Sequence, residues 1–119
     1  LYFKLLIDNV VVDAFVDTGN NVKEPITNLN VIFLNANLKS KLRLEKYKII
    51  DVDVITVNGT DKKQGYIATD IIVIKDGKKI AKIPKIILCF SLIGNTPEKY
   101  SGIIGYDTYL EDLNGGVYY

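Results

Sequence analysis

The triplet Asp17-Thr18-Gly19 carries the residue types that carboxylate-based activation of water requires. Two carboxyl groups that share one proton act as a base toward water and an acid toward a carbonyl oxygen, because like charges at close range cannot both ionise. Gly19 allows a tight backbone turn beside a substrate, and the Thr18 hydroxyl can hydrogen-bond to a second copy of the loop. Since the chain has one such triplet, the second carboxyl group has to come from another chain, and Asp17 is the candidate catalytic residue.

The elements before and after the triplet are predicted to be β-strands. Leu1–Ile7 and Val10–Val16 are apolar, strand-like runs around Asp8-Asn9, a hairpin signal. A polar loop follows the triplet, and the wholly apolar Val31–Leu34 predicts a strand buried on both faces. Ala36–Leu44 is predicted to form a helical turn.

A long hairpin is predicted in the middle of the chain. Its strands are Ile49–Val57 and Gln64–Lys75, and the polar segment between them is predicted to be a mobile tip that covers a substrate groove. The groove-covering candidates are Asn58, Gly59, Thr60, Asp61, Lys62 and Lys63.

The last third of the chain predicts three further elements. Asp76-Gly77 is a second hairpin signal, and Lys79–Phe90 is the partner strand. Gly102–Gly105 predicts a short buried strand, and Tyr106–Leu113 predicts a closing helix with Asp107 as its cap.

Composition narrows the function classes. A length of 119 residues and 48% hydrophobic content predict a single globular domain over residues 1–119. The 15 basic and 14 acidic residues form no dense basic tract, which argues against a nucleic-acid partner.

The chain has no His, so Ser-His chemistry is excluded and zinc binding is disfavoured. The single Cys89 lies in an apolar run and is predicted to be a buried small side chain. No apolar run reaches the roughly 18 residues of a membrane span.

The order of these parts resembles the retropepsin-like aspartic proteases. The similarity rests on an apolar strand ending in Asp17-Thr18-Gly19, a long hairpin, and Gly102-Ile103-Ile104-Gly105 before a helix. The resemblance implies an all-β fold, a closed β-barrel with one short C-terminal helix, that acts as a homodimer on a protein substrate without a metal or cofactor. It also implies an active-site loop that includes Asn20, with Ile103, Ile104 and Gly105 supporting it.

One part of the retropepsin pattern is missing. Retropepsins usually have Arg after the second Gly of the later motif, and it pairs with an Asp two residues beyond Asp-Thr-Gly. The corresponding residues here are Tyr106 and Asn21. The stabilising ion pair expected from the resemblance is therefore absent at these positions.

A narrower resemblance involves Val16–Thr27. This stretch is similar to the Asp-Thr-Gly-Asn…Asp-Pro-(Leu/Ile)-Thr segment of the sporulation sigma-E factor processing peptidases, with Glu24 where that family usually has Asp. That similarity implies the soluble C-terminal part of a longer membrane protein, on the cytoplasmic side of the cell membrane. It would remove the pro-sequence of a sigma factor precursor, and a signal protein would activate it through the membrane domain.

Two other function classes compete with a protease. A barrel of the same fold that has lost catalysis could act as a protein-binding or dimerisation module. A nucleotide- or nucleic-acid-binding barrel is disfavoured, because basic and aromatic residues are not clustered along the chain.

Overall fold

The computed structural model describes residues 1–19, 22–56, 59–91 and 97–116. Within these ranges the strands are β1 Tyr2–Ile7, β2 Val10–Asp17, β3 Val31–Leu34, β4 Lys48–Thr56, β5 Gly59–Lys75, β6 Lys78–Cys89 and β7 Gly102–Gly105. The 3₁₀ turns Ala36–Ser40 and Leu44–Lys46 precede β4. Helix α1, Tyr106–Glu111, follows β7 directly, and Asn114–Gly116 forms a last 3₁₀ turn.

The strands form one sheet that closes on itself. Their order is β1-β2-β7-β3-β6-β5-β4, and β1 also pairs with β5 at Leu5↔Val73. Six strands therefore form a closed barrel, and β4 lies outside the closure, beside β5. Closure leaves those six strands without a free edge. The predicted all-β closed barrel with one short C-terminal helix is confirmed.

Both predicted tight hairpin turns are present. Asp8 and Asn9 have φ of 50° and 66°, and Asp76 and Gly77 have φ of 53° and 75°. Two successive residues with positive φ give a turn whose twist matches that of the flanking strands, and Asn, Asp and Gly tolerate this conformation best. These residue types therefore set the hairpin geometry locally.

The short strands β3 and β7 are buried at all four of their positions. Each lies between two neighbouring strands and contributes to two apolar clusters on opposite faces. Ile32 and Ile104 belong to the barrel core, whereas Phe33 and Ile103 belong to a second cluster with Val52 and other residues of the long hairpin. The predicted two-sided burial of β3 is confirmed, and β7, predicted as a short buried strand, is buried at all its positions as well.

The long hairpin differs from the prediction at its tip. Strand β5 begins at Gly59, and Thr60–Lys63 pair with residues 52–55 of β4. The prediction that Thr60–Lys63 belong to a segment between the two strands is therefore wrong, because cross-strand pairing satisfies their backbone groups. Val57 and Asn58 lie outside the described residues.

The start of the closing helix also differs from the prediction. Gly105 occupies the N-cap position in an extended conformation, and no side-chain hydrogen bond caps the helix. Asp107 lies inside the first turn, so its predicted role as the cap is wrong. The helix begins as soon as β7 ends, which leaves no separate residue between them for a side-chain cap. Among the described residues, no helix is both long and apolar enough to cross a membrane.

Candidate active site

Asp17 is the last residue of β2 and pairs in parallel register with Gly105, the last residue of β7. Its carboxylate oxygen Oδ1 accepts a hydrogen bond from the Gly19 backbone N–H at 3.0 Å. The Asp17 side chain is half-buried, and Thr18 and Gly19 are exposed. The barrel thus holds a carboxylate at a strand end while leaving it open to water or to a second chain.

Glycine at position 19 is suited to this arrangement. A Cβ placed on Gly19 would lie 3.4 Å from Asp17 Oδ1, at the edge of ordinary contact. A larger side chain would extend from that point beside the carboxylate. Glycine keeps this side of the Asp17 oxygen open while its N–H holds the carboxylate in place.

The residues predicted to support the loop lie directly beside it. Ile103 pairs with Phe15 and Ile104 pairs with Val16, and both isoleucines are fully buried. Gly105 is also buried. Because Ile103 and Ile104 are fixed in the core and pair with the residues that precede Asp17, the backbone at Asp17 has little freedom to shift.

The long hairpin comes close to the segment that follows Asp17. A cavity of about 480 Å³ separates the hairpin from the loop 24–27. Its walls are formed by Glu24, Pro25, Ile26 and Thr27 on one side and by Lys48, Ile50, Asp51, Asp53 and Lys62 on the other. Gly59–Lys62 are exposed at the far end of the hairpin. Of the residues predicted from the sequence, Asn20 and Asn58 lie outside the described residues.

The carboxylate of Glu24 organises that loop. It is 3% exposed, and it accepts hydrogen bonds from the backbone N–H groups of Ile26 at 2.7 Å and Thr27 at 2.9 Å. Charge-assisted hydrogen bonds of this kind offset the cost of burying a carboxylate. The sequence marked position 24 only as a departure from a family pattern, and the structure shows it as a loop-ordering residue.

A polar network at the end of α1 was not foreseen from the sequence. Lys23 Nζ contacts Glu111 Oε1 at 2.5 Å, and Asn30 Nδ2 donates to Asp112 Oδ2 at 2.9 Å and more weakly to Glu111 Oε2 at 3.4 Å. These partners are more than 80 positions apart in the chain. No local pattern announces such pairs, so only the folded chain reveals them. We call these four residues the Lys23–Asp112 network.

The network perturbs the pKa of its members in opposite directions. The hydrogen bond from Lys23 lowers the pKa of Glu111, and the same bond raises the pKa of Lys23. Burial raises the pKa of Asp112, with the neighbouring charge of Glu111 adding to the effect. One carboxyl group of the pair therefore favours its charged form and the other resists it.

The chemistry open to one chain is limited by its single Asp17. One carboxyl group cannot at the same time take a proton from water and give one to a carbonyl oxygen. The described residues contain no group of three or more His, Cys, Asp or Glu placed to hold a metal ion. Cys89 is buried, as predicted, and burial raises the pKa of its thiol, which disfavours the nucleophilic thiolate.

A structural comparison identifies the fold. The chain is similar to "EIAV protease complexed with the inhibitor HBY-793", with a TM-score of 0.54 and 14% sequence identity, over 100% of this chain and 90% of that chain. At this identity the likeness defines the fold alone, and that fold is retropepsin-like. No protein-family model matches the sequence, and no curated protein matches it.

Proposed function

We propose that this protein is an aspartic endopeptidase that acts as a homodimer. The observation that carries the proposal is the position of Asp17, half-buried at the end of β2, in register with Gly105 of β7 inside a retropepsin-like barrel. The exposure of Thr18 and Gly19 leaves the same loop free to meet its copy. A two-fold axis at this loop would bring together two carboxyl groups, as the chemistry requires.

In such a dimer the two Asp17 side chains have different roles at any moment. The unprotonated carboxylate takes a proton from a bound water as that water attacks the peptide carbonyl carbon. The protonated carboxyl group donates to the carbonyl oxygen. The Gly19 N–H, which already binds Asp17 Oδ1, holds one oxygen in position while the other remains available. The long hairpin would cover an extended polypeptide in the groove.

The proposed substrate is a sigma factor precursor, and the proposed reaction removes its pro-sequence. Support comes from the similarity of Val16–Thr27 to the sporulation sigma-E factor processing peptidases. The loop Glu24–Thr27, which belongs to this stretch, is ordered by the Glu24 carboxylate and lies beside the hairpin. The same similarity supports a place on the cytoplasmic side of the cell membrane and activation by a signal protein through a membrane domain.

The test is cleavage by purified protein of an unfolded general substrate and of a sigma factor precursor. Asp17→Asn should abolish both reactions while leaving the melting temperature within a few degrees. Asp76→Asn is a matched control, because Asp76 is an exposed turn residue of the β5–β6 hairpin with φ of 53°, which Asn also accepts.

The outcomes of this test are distinct. Full activity of Asp17→Asn would refute the protease assignment. Cleavage of the general substrate without the precursor would keep the protease and reject the sigma factor. Binding of the precursor without cleavage of either substrate would favour the inactive protein-binding module.

A further inference from the structure

The segment that follows Asp17 is attached at both ends to one unit of the structure. At its start, Asp17 pairs with Gly105 at the end of β7. At its other end, Lys23 forms a backbone bridge to Asn30, and the side chains of both residues contact the end of α1. Because α1 follows β7 without a break, both attachments belong to the same β7–α1 unit.

The second attachment is built from side chains that have few alternatives. Asn30 is 6% exposed, and its Nδ2 is held between the carboxylates of Asp112 and Glu111. Lys23 binds Glu111 and also lies in the electrostatic field of Asp107 and Asp112. Acidic groups of the closing helix and its end thus face Lys23, so removing that lysine takes away a positive charge that offsets their mutual repulsion.

Asn30 also has a buried oxygen, Oδ1, with no hydrogen-bond partner among the described residues. An unpaired buried acceptor costs free energy. In the same side-chain orientation, Asn30 Nδ2 donates hydrogen bonds to the carboxylates of Glu111 and Asp112.

We propose that Lys23 and Asn30 are positioning residues for Asp17, and that their attachment to Glu111 and Asp112 fixes the far end of the Asp17 loop. The effect of this positioning on catalysis rests on the proposed function. The positioning itself is a property of the folded chain. Lys23–Glu111 is an ion pair between the segment that follows Asp17 and helix α1, whereas the ion pair expected from the retropepsin resemblance is missing from the sequence because positions 21 and 106 are Asn21 and Tyr106. A surface-accessible lysine in this role makes the loop sensitive to ionic strength, since salt screens exposed pairs.

The experiment compares Lys23→Met with Lys4→Met. Lys4 forms a similar exposed ion pair with Asp13 at 2.7 Å, between β1 and β2, so its loss controls for the removal of one surface ion pair. The first readout is ¹⁵N relaxation of the Gly19 amide, whose N–H binds Asp17 Oδ1. Lys23→Met should lower the order parameter at Gly19, and Lys4→Met should not.

The second readout is peptide cleavage. Lys23→Met should lower kcat on the order of tenfold or more with a smaller change in KM, because misplacing a catalytic group costs rate. Lys23→Arg should restore both readouts, and the charge swap Lys23→Glu with Glu111→Lys should restore part of them. A purely stabilising role would change the melting temperature of the Lys23 and Lys4 variants alike and leave the Gly19 amide unchanged.

The two proposals fail in different ways. Unchanged Gly19 relaxation in Lys23→Met, or an equal change in Lys4→Met, would overturn the positioning role whatever the activity. If the native chain cleaves no substrate, the protease assignment fails, and the relaxation measurement still decides whether the network orders the Asp17 loop. Asn30→Leu, which removes the amide at similar size, should reproduce the effect of Lys23→Met at Gly19.

Discussion

The carboxylates of Asp8, Glu24 and Asp17 differ in their hydrogen-bond partners and in their exposure to water. The Asp8 side chain is 2% exposed, and its carboxylate accepts hydrogen bonds from Tyr47 Oη at 2.6 Å and the Arg43 N–H at 3.0 Å, beside Lys46 Nζ at 2.5 Å. Glu24 is held by two backbone N–H groups. Asp17 is half-buried and receives the Gly19 N–H. The carboxylates of Asp8 and Glu24 have structural roles, whereas Asp17 keeps access to water, as its proposed catalytic role requires.

Asp8 should make the stability of the protein depend on pH in the acid range. Burial tends to raise its pKa, but hydrogen bonds from Lys46, Tyr47 and the Arg43 N–H outweigh this and lower it. A lowered folded-state pKa contributes stability that is present above the usual value near 3.8 and is lost as pH falls through the folded value. Asp8→Asn, which accepts the positive φ at this position, should therefore destabilise at pH 6 and flatten the acid limb of the unfolding curve.

Denaturant titrations between pH 2 and pH 7 check this prediction. Asp76→Asn again serves as the control, because Asp76 lies at the other tight turn and is exposed. An acid limb of unchanged steepness in Asp8→Asn would show that other carboxyl groups dominate the pH dependence.

Glu24→Ala should destabilise the loop that faces the hairpin. The change removes a charged acceptor from the N–H groups of Ile26 and Thr27, and hydrogen bonds to charged groups contribute about 1.5–3 kcal/mol. Because Ile26 and Thr27 are exposed, water takes up part of the loss, so the expected decrease in unfolding free energy is about 1 kcal/mol. Glu24→Asp, the residue typical of the resembled family, should retain more stability than Glu24→Ala. Equal midpoints for the native chain and Glu24→Ala in urea would contradict this account.

At the scale of elements, β5 is the strand on which the architecture depends. It pairs with β4, β6 and β1 along its 17 residues. Gly65 lies where it pairs on both sides, opposite Ile50 of β4 and Cys89 of β6. This position joins the hairpin to the barrel, so the local packing there determines how the hairpin leaves the barrel.

Gly65→Ala should therefore cost more than Gly102→Ala. A Cβ at position 65 would lie 2.7 Å from Ile87 Cγ2 and 2.8 Å from Val52 Cγ2, and both methyl groups belong to stiff β-branched side chains. At position 102 the nearest atom is 3.1 Å away, on Leu34. Overpacking of this kind costs about 1–3 kcal/mol. Thermal and urea unfolding of both variants measure the difference in stability. Equal losses of unfolding free energy would show that the side chains around β5 rearrange as readily as those around β7.

At the scale of the whole molecule, the barrel presents one Asp17 loop per chain. The exposed Thr18 lies where the proposed two-fold axis would pass. Hydrogen bonds across that axis are each worth about 1 kcal/mol net. The dimer would therefore depend on many contacts of modest strength rather than on this residue alone.

Thr18→Ala should weaken dimerisation and lower activity together. With a hydrogen bond lost on each side of the axis, the expected increase in the dissociation constant is roughly tenfold or more. Thr18→Ser keeps the hydroxyl and should behave like the native chain. Sedimentation equilibrium measures association, and cleavage assays run at the same protein concentrations measure activity. A native chain that is monomeric while it cleaves substrate would exclude the dimer as the active species.

Local sequence determined the strands, the turns and the position of the candidate catalytic residue. Apolar, strand-like runs define β1 and β2, and residues that accept positive φ define the turns at Asp8-Asn9 and Asp76-Gly77. A continuous apolar run identified β3 as a strand buried on both faces, and Gly102–Gly105 was identified as a short buried strand. These features are readable because each depends on the conformational preferences of neighbouring residues.

Only the tertiary structure shows which residues that are distant in the chain lie close together. Three features join residues that are far apart in the chain. They are the parallel register that places Asp17 beside Gly105, the pairing of β1 with β5 that closes the barrel, and the contacts of Lys23 and Asn30 with the end of α1. The start of β5 at Gly59 and the uncapped start of α1 were likewise set by pairing and by continuity with β7. Such contacts depend on how elements pack and pair, and a one-dimensional pattern of polarity does not contain that information.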